Sequence, residues 1–81
     1  MLKKDSKVYM CIVVPNCNIY DVLELTLRTV EDSWAVGVDE HTRQAQIFSY
    51  NMLGKYVFEN HRDALQAILG FREAGESANV I

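Results

Sequence analysis

Ile19-Tyr20-Asp21-Val22-Leu23-Glu24-Leu25-Thr26-Leu27-Arg28-Thr29-Val30 decides the fold, because it reads in two ways. With a period of two, Leu23, Leu25 and Leu27 share a face opposite Glu24, Thr26 and Arg28, as in a half-buried strand. With a period of 3.6, Ile19, Val22, Leu23, Thr26, Leu27 and Val30 form a continuous stripe, and Asn18 with Asp21 offers a capping pair. Only Leu25 falls off that stripe, so periodicity alone leaves strand and helix about equal.

Upstream, Lys7 to Val14 carries Val8, Met10, Ile12 and Val14 on one face and Tyr9, Cys11 and Val13 on the other. Both faces are apolar, as in a strand covered on two sides. Pro15-Asn16-Cys17-Asn18 then predicts a loop, because proline lacks a ladder donor and asparagine suits turns. Downstream, Glu31-Asp32-Ser33 is a polar turn. Trp34 to Asp39 resumes alternation, with Trp34, Val36 and Val38 opposite Ala35 and Gly37. Glu40-His41-Thr42-Arg43 is a hairpin loop leading into a strand over Gln44 to Tyr50. Asn51-Met52-Leu53-Gly54 turns the chain again and Lys55 to Phe58 is the last strand.

Asn60 stands as the N-cap of a helix, with Asp63 adding favourable charge in its first turn. The expected inward stripe is Ala64, Leu65, Ile68 and Phe71, and the helix is expected to cover an open end of the strand layer. Gly70 weakens its middle by about 1 kcal/mol relative to alanine. Gly75 predicts the stop, giving a helix over 61–74 and a frayed tail over 76–81. The whole is a single small domain, 1–81, with strands across 7–59.

With 81 residues there is little room for a deep substrate cavity. Hydrophobic residues at 49% and charged residues at 23% are globular values. Eight basic residues against eleven acidic ones, a net charge of -3, give no basic footprint for nucleic acid. Cys11 and Cys17 read as reduced thiols: Met1-Leu2-Lys3-Lys4-Asp5 leads into only a brief apolar segment, so no secretory signal is expected. No apolar run reaches the about 20 residues that cross a bilayer. The two histidines, His41 and His61, and the two cysteines lack metal-ligand spacing, so neither metal nor cofactor is expected.

Asp39, Glu40, His41 and Arg43 gather titratable groups in one loop, but a solvated hairpin tip offers no water-excluding pocket to tune a pKa. Cys11 lies between Met10 and Ile12 without a base, and Cys17 has no identifiable base either. The glycines at 37, 54, 70 and 75 are scattered and form no phosphate loop. An enzyme is not expected. Among the aromatics, Trp34 and Phe58 are expected in the core, whereas Tyr20, Tyr50 and Tyr56 divide between core and surface, where tyrosine serves as a binding anchor.

Leu53-Gly54-Lys55-Tyr56-Val57-Phe58 followed by Arg62-Asp63-Ala64-Leu65 resembles small phage and prophage proteins of Gram-positive bacteria, in which a Gly-Lys-x-Val-Phe strand runs into an Arg-acid-acid-Ala helix start. Trp34 to Asp39 and Ala45-Gln46-Ile47-Phe48 are similar to the same group, so the likeness spans about residues 19–69. This chain departs in having one acid, Asp63, and Tyr56 where threonine is common.

The resemblance tips Ile19 to Val30 to strand. It implies a mostly β, α+β fold: an SH3-like antiparallel barrel of about five strands with a C-terminal helix. It also implies a protein of mobile elements, encoded near regulatory or counter-defence genes, that acts in the bacterial cytoplasm. The expected function is a non-enzymatic module that inhibits or regulates a host protein by occluding it, for example an anti-CRISPR-like inhibitor of a nuclease effector. A nucleic-acid-binding small barrel is the alternative, and a small enzyme comes third. The expected partner is a basic, nucleic-acid-processing protein, and a homodimer is compatible with the sequence. Tyr20, Asp21, Glu24, Asp32, Asp39, Glu40 and Tyr50 are the candidate contact residues, with Glu31 adding to an acidic surface that imitates nucleic-acid charge.

Overall fold

Ile19–Val30 is one continuous strand, β2, flanked on both sides by antiparallel partners. On one side β1 (Lys7–Val14) pairs from Lys7↔Thr26 to Val14↔Ile19. On the other side β3 (Trp34–Asp39) pairs from Leu25↔Asp39 to Val30↔Ala35, with a bulge between Leu27 and Thr29. These ladders settle what periodicity left open. A helix would have left Leu25 outside its apolar stripe, whereas the sheet buries Leu25 and Leu27 completely.

The computed structural model describes residues 2–79, with side chains through residue 74. β4 (Ala45–Ser49) is one residue shorter at each end than expected, and β5 (Val57–Phe58) is shorter because the turn from β4 extends through Tyr56. A 3-10 turn, Tyr50–Met52, carries the chain from β4 toward β5, which pairs with β1. The resulting order, β4-β3-β2-β1-β5, is a five-stranded antiparallel sheet curled into a half-barrel, a small α+β fold of SH3-like form. Gly54, at φ 80°, supplies the left-handed turn that brings the chain into β5.

The inner face of the curl holds Val8, Met10, Leu25, Leu27, Ala35, Phe48 and Val57. Gly37 sets the facing of β3. A Cβ there would lie 2.8 Å from Leu25 Cβ, so the close approach of β3 to Leu25 needs glycine on the inner side. Ala35, Gly37 and Asp39 therefore point inward, and Trp34, expected in the core, lies on the outer side with 38% of its surface exposed.

The expectation that β1 is covered on two sides holds. Its outer residues, Tyr9 and Val13 together with buried Cys11, pack with Ala64 and Ile68 of helix α1 (His61–Asn79) and with half-buried Phe58 and Phe71. Because that outer face is apolar, α1 lies across β1, β2 and β5 rather than over the open end of the curl. Its inward stripe takes Ala67 in place of Leu65, which is 44% exposed. Nor does the helix stop at Gly75. It continues to Asn79, since a glycine lowers helix stability without ending it and no proline follows. The tail expected over 76–81 is thus helical through Asn79, and residues 80–81 lie outside the described residues.

At the other end of α1, Asn60 Oδ1 accepts the Arg62 N–H at 2.8 Å and the Asn60 carbonyl accepts the Ala64 N–H at 3.2 Å, the geometry of an N-cap. Asn60→Ala is expected to cost about 0.5 to 2 kcal/mol. Urea denaturation reads the effect, and an unchanged midpoint would remove the cap from the sources of stability.

Candidate partner-binding site

The sequence candidates fall in separate places. Asp21 is the third residue of β2 and Asp32 lies just beyond its other end, about 35 Å away at strand rise. Tyr20 is half-buried beside Val13 under the helix, and Asp21 Oδ1 accepts the Val22 N–H at 2.8 Å. Glu24 sits mid-strand, 2.8 Å from Lys7 Nζ, and that hydrogen bond holds the Glu24 carboxyl below the usual range and Lys7 above its own.

Asp39 is buried. Its Oδ1 accepts the His41 N–H at 2.9 Å and the Thr42 N–H at 3.4 Å, while its carbonyl accepts the Arg43 N–H at 2.7 Å. The side chain stands in for a turn in the β3–β4 hairpin, and that is a structural position. Glu40 Oε1 accepts the Thr26 hydroxyl at 2.9 Å, which ties the hairpin to β2.

Asp32 and Tyr50 do meet. Both line a cleft of about 490 Å3 at the open mouth of the curl, together with Leu2, Val30, Glu31 and Leu53. Its apolar walls are built from half-buried residues packed on the inner core. The Tyr50 hydroxyl donates to the Glu31 carbonyl, and the Tyr50 N–H donates to the Ser33 carbonyl at 3.1 Å, so the 3-10 turn after β4 anchors the β2–β3 turn. That anchoring places the two carboxylates of Glu31 and Asp32 on the lip of an apolar cleft. Among the described residues neither carboxylate makes an ion pair.

Leu2, Val30 and Leu53 were absent from the sequence-based candidates. They come from three distant parts of the chain, and only closure of the sheet gathers them. The one local signal that could have found part of it is the apolar Val30 at the end of β2 directly followed by Glu31-Asp32. A second, shallower groove of about 220 Å3 joins Lys4, Arg28 and Arg43 with Asp5, Glu40, Thr26, Leu27 and Val38, a mixture of charge rather than a basic track.

Among the described residues no group of three or more His, Cys, Asp or Glu side chains is arranged to hold a metal ion, and no helix is long and apolar enough to cross a membrane. The two thiols differ. Cys11 is buried, with Sγ 3.5 Å from the Ala64 carbonyl, and burial pushes its pKa up, whereas Cys17 is exposed. The thiolate is the reactive form, so at pH 8 a disulfide reagent should modify Cys17 rapidly and Cys11 only on unfolding. Equal rates for the native protein would contradict the packing of α1 over Cys11. Comparison with protein-family models, with curated proteins and with solved structures finds no match.

Proposed function

We propose that the chain is a non-enzymatic interaction module that binds a basic segment of a protein partner and thereby occludes it. The observation that carries this reading is the apolar cleft with two unpaired carboxylates on its lip. An arginine or lysine side chain suits such a site, laying its aliphatic stem along Leu2, Val30 and Leu53 while its charged head meets Glu31 and Asp32. Trp34, two residues after Asp32 and partly exposed on the outer side of the sheet, offers an aromatic contact beyond the cleft itself.

The partner class that fits is a protein with a basic groove, such as a nucleic-acid-processing effector. Its inhibition in the bacterial cytoplasm, in the manner of an anti-CRISPR protein, rests on the sequence resemblance to phage and prophage proteins. The net charge of -3 supports a protein partner over nucleic acid, because phosphate contacts demand clustered lysine and arginine.

Trp34 is the only tryptophan and lies two residues after Asp32, so its fluorescence serves as a nearby reporter. Titration with a blocked oligo-arginine peptide should show saturable binding that weakens with salt. The double change Glu31→Lys with Asp32→Lys should weaken it at least about tenfold and slow association, because rim charges act mainly on the on-rate. Negligible binding of a short oligonucleotide at physiological salt is expected in parallel. Tight, salt-sensitive oligonucleotide binding would instead favour a nucleic-acid-binding barrel that uses the Lys4, Arg28 and Arg43 groove.

A further inference from the structure

β4 is an edge strand without the usual protections. It pairs with β3 on one side only, and from Gln44 to Gly54 the sequence holds no charged residue and no proline, the devices that keep edges from pairing. The hydrogen-bond phase of this edge follows from its two ends. Gln44 O accepts the Asp39 N–H and the Tyr50 N–H donates to Ser33 O. The even residues of β4 therefore direct their main-chain groups at β3, and Ala45 and Ile47, with the Ser49 N–H, direct theirs at the open edge. Ile47, at the centre, is 67% exposed.

We infer that this edge pairs with a second copy of the chain, antiparallel, on a two-fold axis through Ile47. This registration uses each of those outward groups except the Ala45 N–H. The Ile47 N–H of each copy donates to the Ile47 carbonyl of the other, and the Ser49 N–H of each donates to the other's Ala45 carbonyl. It also continues the outer apolar face, since Val36 lies beside Ile47 in each sheet and the two Ile47 side chains meet at the axis.

Charge selects a second copy over an arbitrary extended peptide. At one end of the strand stands Arg43, held at φ 64°, and at the other the Glu31-Asp32 turn, tied to Tyr50. None of these three side chains has an ion-pair partner among the described residues. Antiparallel self-pairing sets the Arg43 end of each copy beside the acidic turn of the other, twice by symmetry. The dimer needs no ligand to form, although Arg43 of the second copy and a basic occupant of the cleft draw on the same two carboxylates, Glu31 and Asp32.

Sedimentation velocity and covalent capture test it. The wild-type chain, 9.3 kDa, should sediment at twice that mass at high concentration and dissociate on dilution. Ile47→Lys, which sets two like charges on the axis at an exposed position, should raise the dissociation constant at least about tenfold with an unchanged circular dichroism spectrum. In a Cys17→Ser background, Ile47→Cys should form a disulfide-linked dimer on mild oxidation, because a hydrogen-bonded antiparallel pair sets Cα atoms about 5.5 Å apart, within disulfide reach. Gln66→Cys, on the helix, should not. A wild-type monomer at every concentration overturns the proposal, as does a dimer that Ile47→Lys leaves intact. Either result leaves oligo-arginine binding at the cleft to be read separately.

Discussion

Phe48→Ala is expected to remove about 3 to 5 kcal/mol of stability, a large share of what a domain of this size possesses. Phe48 is 2% exposed and pairs with Ala35 across β3–β4, on the inner face that also holds the fully buried Leu25 and Leu27. Its ring fills the volume that the small residues of β3 leave open. Ala35 and Gly37 cannot grow to replace it, because a Cβ at Gly37 already conflicts with Leu25. The cavity should therefore persist rather than collapse. Chemical denaturation of the purified variant measures the loss, and a change below about 1 kcal/mol would mean that Phe48 does not close the inner core.

Asp39→Ala should cost about 1 to 3 kcal/mol, for a different reason. The buried carboxylate accepts from the His41 and Thr42 N–H groups at the hairpin tip, and its removal loses these charge-assisted hydrogen bonds and leaves the exposed tip to water. Asp39→Asn, which keeps one oxygen acceptor, should recover part of the loss. Binding at the cleft should be unaffected in whichever fraction remains folded, since the hairpin lies at the other end of β3 from Glu31 and Asp32. A change in oligo-arginine affinity without a change in stability would return Asp39 to the contact surface.

Much of the architecture was legible in the residues. The alternation of β1 on both faces, the polar turn at Glu31-Asp32-Ser33 and the Asn60 cap all encode local preferences that the tertiary structure keeps. β2 was the difficult segment, because a 12-residue amphipathic stretch satisfies both periods. Its identity is fixed by partners on either side, which no local pattern contains. Trp34 misled for a related reason. Hydrophobicity favours burying tryptophan, yet the facing of β3 is set by Gly37 under Leu25, a contact between strands. Leu65 is similar: helical spacing admits it to the inward stripe, but the flank that meets β1 and β5 takes Ala67 and Phe71, the latter stacked on Tyr56 with ring centroids 5.1 Å apart.

The acidic surface was legible only in part. Its residue types are evident in the sequence, but strand length separates Asp21 from Asp32, Lys7 neutralises Glu24 and the hairpin consumes Asp39. What remains is a local site in which charge is joined to apolar surface, and that combination depends on Leu2, Val30 and Leu53 converging at the mouth of the curl.

The most direct test of that site is a two-dimensional 1H–15N NMR titration of the labelled chain with the blocked oligo-arginine peptide. Shift changes should centre on Leu2, Val30, Glu31, Asp32, Tyr50 and Leu53 and vanish in the Glu31→Lys, Asp32→Lys variant. Changes spread evenly over Asp21, Glu24 and Glu40, or unchanged in that variant, would contradict a cleft that reads a basic side chain.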